Sequence, residues 1–471
     1  MRVRALILLS LSLGAGLHAD GSPEGARPDL ARIDAPQALT AWTSALQGLS
    51  VGTRSRVSVV HIGDSHLQAG PMDSVLRQAL QARWGDAGRG FVFPYEATDT
   101  ANPPDLASAS DVEWKLRRMM GDSAHGPVGA GGLAAVAQAV PFVLSLAQGR
   151  DVAGTPGFDR VRVFYEPGPD KAELWVATRP DPVAAEAALR RAAWRERLIE
   201  PGDTLSELAQ AEGVSQADLR RWNGPNFKLR AGKKLRLRQV SAEGSSRLAG
   251  YTVWGVLKGD DERAREGVSV SLGSPVQELF LVGTQAGPGQ DHVELQGLLF
   301  ERSLATGLVW NTLAANGAQA KHFSAQRNFP VQLKAMDPDL IIFSLGTNET
   351  QQSDYAIDDA LAEQKRLWKI CREAVPGASL LVLSPPEASY GKRTANARLD
   401  PYVQGLRALA LQEGAAFFDL RAAQGGYGSY DRWHEEGLAG KDGVHYRNAG
   451  YRLMGQWLLD ALDNTGAAHA P

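Results

Sequence analysis

Two short stretches, Gly63-Asp64-Ser65-His66 and Asp442-Gly443-Val444-His445, hold the residue types that nucleophilic catalysis requires. A serine hydroxyl is a weak nucleophile until a neighbouring imidazole takes its proton, and that imidazole usually needs a carboxylate to orient it. Asp442 and His445 stand three residues apart, so both side chains can project from one loop toward a single site. Attack on a carbonyl also needs preorganised donors for the developing oxyanion, and losing one typically costs ~10²–10³ in turnover. Three candidates are present: the N–H of Ser65, the N–H of Gly317, which has no side chain to obstruct approach, and the amide of Asn348. Each feature has a plainer reading. Gly-Asp-Ser is a common turn, Gly317 equally suits the end of a helix, and Asp442 with His445 equally suits a satisfied surface pair. Their conjunction favours catalysis. The α/β-hydrolase elbow is a poor fit, because Gly63-Asp64-Ser65-His66-Leu67 lacks the final glycine of G-x-S-x-G and the acid and base lie too close together.

These residues need elements to bring them together. Val57–Ile62 is a mostly apolar, β-branched run that leads straight into Gly63-Asp64-Ser65, and Met72–Trp84 carries Val75, Leu76, Ala79, Leu80 and Trp84 at helical spacing. The same alternation returns after residue 300. Leu340–Leu345, Leu380–Leu383 and Ala415–Leu420 read as strands, with helices at Asp358–Ala374, Tyr402–Glu413 and Ala449–Leu462. This predicts an α/β fold with a parallel sheet covered by helices, its ligand beyond the carboxyl ends of the strands, where Ser65 and Asn348 fall. Between the halves, alternating runs at Val161–Glu166, Ala172–Ala177, Tyr251–Leu257, Val268–Leu272, Val276–Gly283 and His292–Phe300 predict a β-rich insert built as a sandwich. Trp175, Trp254 and Tyr251 in this insert suit a sugar platform, although aromatic residues on strands more often face a core. Within the insert, Arg197–Gln239 reads as two short helices between brief strands, preceded by an Ala/Arg-rich helical connector over Pro182–Arg195.

Gly63-Asp64-Ser65 at a strand end, Gly317, Asn348 in Gly346-Thr347-Asn348-Glu349, and Asp442-x-x-His445 fall in the order of the SGNH/GDSL hydrolase blocks, which this chain resembles. The resemblance implies a three-layer flavodoxin-like fold, with Ser65 as nucleophile, His445 as base, Asp442 orienting it, and Ser65, Gly317 and Asn348 around the oxyanion. His66 stands where that superfamily often has Leu, and Glu349 where it often has Asp. With Gly88-Arg89-Gly90-Phe91-Val92-Phe93-Pro94 and Lys441-Asp442-Gly443-Val444-His445-Tyr446, the chain looks like the bacterial peptidoglycan O-acetylesterase branch, which also carries a β-sandwich between the first two blocks. Ile199-Glu200-Pro201-Gly202-Asp203-Thr204-Leu205, Asn223 and Leu229-Arg230-Ala231-Gly232 resemble a LysM module, a family that binds N-acetylglucosamine-containing glycans. That resemblance implies a glycan groove between Gly202, Asp203, Thr204 and Leu205 on one side and Leu229, Arg230 and Ala231 on the other. Asp203 and Thr204 equally suit plain helix capping.

Composition narrows the classes further. A chain of 471 residues, 44% hydrophobic and 22% charged, suits a soluble multidomain protein. A net charge of -3 gives no general attraction to nucleic acid, which is not an expected partner. Arg2 and Arg4 precede the apolar run Ala5–Leu13 and small residues ending at Ala19, as in a signal peptide, so an exported and periplasmic protein is expected. That run is shorter than the ~20 residues a spanning helix needs, and the mature chain is expected to have no integral membrane segment. Cys371, the single cysteine, suits a buried small hydrophobe. His61, His66 and His322 suit structural roles, since no spacing among them suggests metal ligands, and His434-Glu435-Glu436 reads as a solvated loop.

The expected layout is a signal peptide at 1–19, hydrolase segments at 20–104 and 301–471, β-rich segments at 105–196 and 240–300, and LysM at 197–239. The expected function is removal of O-acetyl groups from peptidoglycan, or another acetylated N-acetylglucosamine-containing glycan, without a cofactor or metal. An esterase or acetyltransferase acting on another polysaccharide, and a non-catalytic cell-wall-binding protein, are the alternatives.

Overall fold

The computed structural model describes residues 25–68, 70–121, 126–149, 156–179, 194–199, 203–211, 216–224, 227–230, 232–238, 250–285, 287–391 and 394–467. The expected signal peptide, Gly202 and Ala231 lie outside these residues. The chain divides into two compact units, Met1–Leu174 with Leu257–Pro471, and Trp175–Val256.

The first unit is organised around a six-stranded sheet in the order Ile33–Asp34, Ala416–Phe418, Ser379–Leu383, Leu340–Ser344, Arg56–Gly63, Gly307–Ala314. Five strands are parallel, and the short Ile33–Asp34 strand pairs antiparallel with Ala416–Phe418 at one edge, so the sheet is mixed rather than purely parallel. Both faces are covered, which is why the strands read as nearly continuous apolar runs. On one face Val57, Val59, Leu308, Trp310, Leu340, Ile342, Leu381 and Phe418 share a core with helices Thr40–Ser50, Pro71–Trp84 and Asn448–Leu462. On the other, helix Ile357–Ala374 brings Trp368 to 6.0 Å from Phe343 and buries Cys371. This is the expected three-layer α/β arrangement. Gly307–Ala314 is a sheet strand absent from the sequence reading, and it pairs in parallel along the whole of Arg56–Gly63.

Two antiparallel sheets also contribute to this unit. One runs Val268–Val276, Phe158–Tyr165, Glu294–Glu301, Leu133–Ala137, Trp114–Arg118, with Gly90–Val92 also paired to Glu294–Glu301. The other includes Leu106–Ser110, Phe142–Gln148 and Glu278–Thr284. Trp114 and Phe142 meet edge to face at 4.8 Å between these two sheets.

The second unit contains antiparallel strands Trp194–Leu198 and Lys234–Arg238 around helices Leu205–Ala211 and Gln216–Asn223. Ile199, Leu208, Ala209, Leu219, Leu235 and Leu237 form its small core, against which Leu205 and Leu229 also pack. The strand begins at Trp194, so the helical connector expected as far as Arg195 is corrected at its end; residues 180–193 lie outside the described ones. Trp254 is 38% exposed rather than a core residue, and its indole Nε1 donates to Thr178 Oγ1 at 2.9 Å. Tyr251 lies under the Arg179 guanidinium, 5.7 Å from ring centre to Cζ.

Candidate active site

Ser65 opens the short helix Ser65–Gln68 just after the interior strand Arg56–Gly63. A side chain at Gly63 would meet Leu67 Cδ1 at 2.4 Å and the Ser344 carbonyl at 3.1 Å, so the turn into Ser65 requires glycine. Asp442 and His445 lie on the loop before helix Asn448–Leu462. The two stretches meet here: Ser65 Oγ is 2.7 Å from His445 Nε2, and His445 Nδ1 is 2.7 Å from Asp442 Oδ2. Asp442 also accepts through Oδ1 from the N–H groups of Val444 and His445, at 3.0 and 2.9 Å. Burial pushes its carboxyl up, but the Val444 N–H and the His445 ring and N–H outweigh that and bring it down to about 2. The acid is therefore ionised at any ordinary pH. Tyr430 braces the loop by donating to the His445 carbonyl at 2.8 Å, and Ser389 N–H donates to the Gly443 carbonyl at 2.7 Å.

The three donor candidates converge on the same end of the sheet. No acceptor among the described residues takes the N–H of Ser65 or of Gly317. Gly317 adopts φ +83 in the turn closed by Ala318 N–H to the Ala315 carbonyl, and an added Cβ would meet nothing within 4 Å. The positive φ by itself favours glycine there, and the open space leaves the N–H unobstructed. Asn348 sits at the start of helix Thr347–Gln351, where its Nδ2 donates to Asp64 Oδ2 at 2.9 Å and to the Ala318 carbonyl at 3.0 Å. Gln68 Oε1 accepts from Asn316 N–H at 2.7 Å, tying the Gly317 turn to the helix that carries Ser65.

Two buried carboxyl groups lie behind Asn348. Asp64 accepts from His66 N–H and from Asn348, and Glu349 Oε1 accepts from Ala320 N–H at 2.9 Å while its Oε2 has no hydrogen-bond partner among the described residues. Burial raises both, Asp64 further by the charge of Glu349, and each reaches about 7. A carboxyl raised above its unfolded value contributes stability that is full below about pH 4 and is lost as pH rises through about 7. Glu349→Gln should therefore gain on the parent chain as pH rises, by roughly 3 kcal/mol between pH 4.5 and 8.5. Thermal unfolding of both chains across that range checks this, and a constant difference would contradict it.

The remaining sequence candidates also have defined positions. His66 is buried with its ring 5.5 Å from that of His445, and its Nδ1 lies 2.9 Å from Tyr451 Oη. Burial, and secondarily His445, pull it down to about 3, so it stays neutral beside the base. His322 caps helix Ala320–Ser324 through Gln319. His434 lies in helix Ser429–Glu435 and approaches the Ala439 carbonyl at 3.2 Å, so that stretch is a helix end rather than a loop. Thr204 and Glu207 exchange bonds at the start of Leu205–Ala211 as a capping box, and Asp203 lies 3.9 Å from Arg197. Arg230 is exposed. Tyr430, Gln68 and the Asp64–Asn348 bond were not found from sequence, because none stands at a motif spacing.

An α/β sheet with these groups at its carboxyl end suits acyl transfer to a serine, and the family match gives the class: the protein is a carboxylic ester hydrolase. Residues 284–453 match the GDSL-like Lipase/Acylhydrolase family and residues 198–238 the LysM domain, so the chain carries both domains. The first match includes Gly317, Asn348, Asp442 and His445 together with the antiparallel strand Glu294–Glu301, and it does not reach back to Ser65. Curated proteins gave no match. Among solved structures, a peptidoglycan O-acetylesterase is 20% identical and covers 90% of this chain and 95% of its own, with a TM-score of 0.64. That likeness shows a shared fold. A lipase/acylhydrolase from Enterococcus faecalis is 16% identical over 34% of this chain and 77% of its own, with a TM-score of 0.28. A carbohydrate esterase family 3 protein from Talaromyces cellulolyticus is 19% identical over 33% and 70%, with a TM-score of 0.27. Among the described residues, no helix is long and apolar enough to cross a membrane.

Proposed function

We propose that this chain is an exported serine esterase that removes O-acetyl groups from peptidoglycan and is held to that polymer by its LysM domain. The observation that carries the reading is the unbroken series Ser65 Oγ, His445 Nε2, His445 Nδ1, Asp442 Oδ2, with both gaps at 2.7 Å. His445 takes the Ser65 proton as Oγ bonds to the acetyl carbonyl carbon. The oxyanion is received by the N–H groups of Ser65 and Gly317 and by Asn348 Nδ2, which gives up its contact with the Ala318 carbonyl to do so. The tetrahedral species collapses as His445 protonates the departing sugar oxygen, leaving acetyl on Ser65. Water, deprotonated by His445, then releases acetate.

The LysM match supports a second attachment to an N-acetylglucosamine-containing glycan, through Asp203, Thr204, Leu205, Leu229 and Arg230 together with Gly202 and Ala231. An insoluble wall cannot diffuse to the enzyme, so such an attachment raises the effective concentration of ester near Ser65. The likeness to a peptidoglycan O-acetylesterase supports the choice of polymer. In this reading the two antiparallel sheets form the inserted sandwich, the leader is cleaved near Ala19, and the mature protein works in the periplasm.

The test adds soluble N-acetylglucosamine oligomers to the intact chain during hydrolysis of O-acetylated peptidoglycan and, separately, of a small neutral acetyl ester. Slower acetate release from the wall with an unchanged rate on the small ester is expected. Equal rates on the wall with and without oligomer would contradict the tether, and hydrolysis of the small ester alone would contradict the choice of polymer.

A further inference from the structure

Beneath the site, four segments meet in a second serine–histidine–aspartate series. His61 is fully buried on strand Arg56–Gly63, four residues before Ser65, with Nδ1 2.6 Å from Asp73 Oδ1 and Nε2 2.7 Å from Ser344 Oγ. Asp73 lies in the first turn of helix Pro71–Trp84, and its Oδ2 accepts from Thr312 Oγ1 at 2.5 Å. Thr312 is the register partner of His61 on strand Gly307–Ala314, five residues before Gly317. Ser344 ends strand Leu340–Ser344, opposite Gly63 and four residues before Asn348.

The strand alternation makes this geometry possible. His61, Thr312 and Ser344 share the sheet face of Val59, Trp310 and Ile342, against which helix Pro71–Trp84 packs. An all-apolar face would pack there as well. One carboxylate instead bonds to neighbouring strands at paired positions, and the imidazole extends the chain to a third. Burial by itself would push the Asp73 carboxyl up; His61 and Thr312 outweigh it and hold it below the usual carboxylate range.

We propose that Ser344, His61, Asp73 and Thr312 form a positioning relay that sets the spacing between the Ser65, Gly317 and Asn348 segments, and so the shape of the oxyanion site. His61 and Asp73 are buried, so the role assigned to the series is positioning rather than contact with substrate. Their effect passes along four or five residues of backbone to each donor, and rests on the esterase reading above. Donors must sit roughly 2.7–3.1 Å from the developing oxyanion, a window of a few tenths of an ångström, so a lost tie acts on the transition state more than on the bound ester.

The test uses Thr312→Val, which keeps the shape and removes the hydroxyl, beside Thr312→Ser, which restores it, and Ser344→Ala at the far end. On a small neutral acetyl ester, Thr312→Val and Ser344→Ala should lower kcat about 10-fold with KM within about twofold of the parent, while Thr312→Ser keeps kcat near the parent value. Unfolding temperatures recorded alongside separate positioning from general loss of structure. Parent-like kcat in Thr312→Val and Ser344→Ala would overturn the relay, as would an equal loss in Thr312→Ser that follows the fall in unfolding temperature. A parent chain that cleaves no ester would overturn the esterase reading and the relay with it, whereas an active parent with indifferent variants would overturn the relay alone.

Discussion

Ser65→Ala should lower turnover of a small acetyl ester by on the order of 10⁴–10⁶, while binding of the chain to peptidoglycan stays unchanged. The size follows from the chemistry. Without Oγ no acetyl-enzyme can form, and His445 with the N–H of residue 65 and of Gly317 can only assist direct attack by water. Folding should be indifferent, because among the described residues Ser65 Oγ bonds to His445 alone, at the half-exposed end of the site. Steady-state rates with a co-sedimentation assay check both halves. Covalent labelling by a serine-directed phosphonate should likewise vanish in the variant, and persistent turnover or labelling would move the nucleophile elsewhere.

Asp442→Asn is expected to have the next largest effect, a fall in kcat of roughly 10²–10⁴ with little change in KM. The amide that replaces the carboxylate can still accept from the Val444 and His445 N–H groups and so keep the turn. It cannot match a carboxylate in orienting the ring and stabilising imidazolium. The range extends below the value for a buried triad because the side chains of Asp442 and His445 are 46% and 44% exposed, and water can replace part of the lost charge. Since the Asp442 carboxyl lies at about 2, activity above pH 4 should show no acidic limb from its protonation. A variant within threefold of the parent would leave Asp442 as a loop-forming residue only.

The triad was legible in the sequence because its residues sit in short stretches at strand and helix ends, where local spacing reports spatial proximity. Leu340–Ser344 and Ser379–Leu383 were legible for a different reason, being apolar on both faces. Gly307–Ala314 was not, since Asn311 and Thr312 interrupt its apolar run; they point to opposite faces of the sheet, where Asn311 Nδ2 donates to the Val59 carbonyl and Thr312 Oγ1 to Asp73. Leu106–Ser110 was hidden by its alanines and serines, which give almost no hydrophobic alternation. The relay was invisible because its four members come from four segments and look, one at a time, like ordinary polar residues. Glu349 illustrates the same limit. Its position after Asn348 is readable from sequence, but the burial that raises its carboxyl is a property of the packed layers alone.

The most direct measurement is acetate release by the purified mature chain from O-acetylated peptidoglycan, beside the same wall chemically stripped of acetyl groups. The account predicts release from the acetylated wall that depends on Ser65, and none from the stripped wall. No release from the acetylated wall by a chain that still binds it would contradict the proposed function.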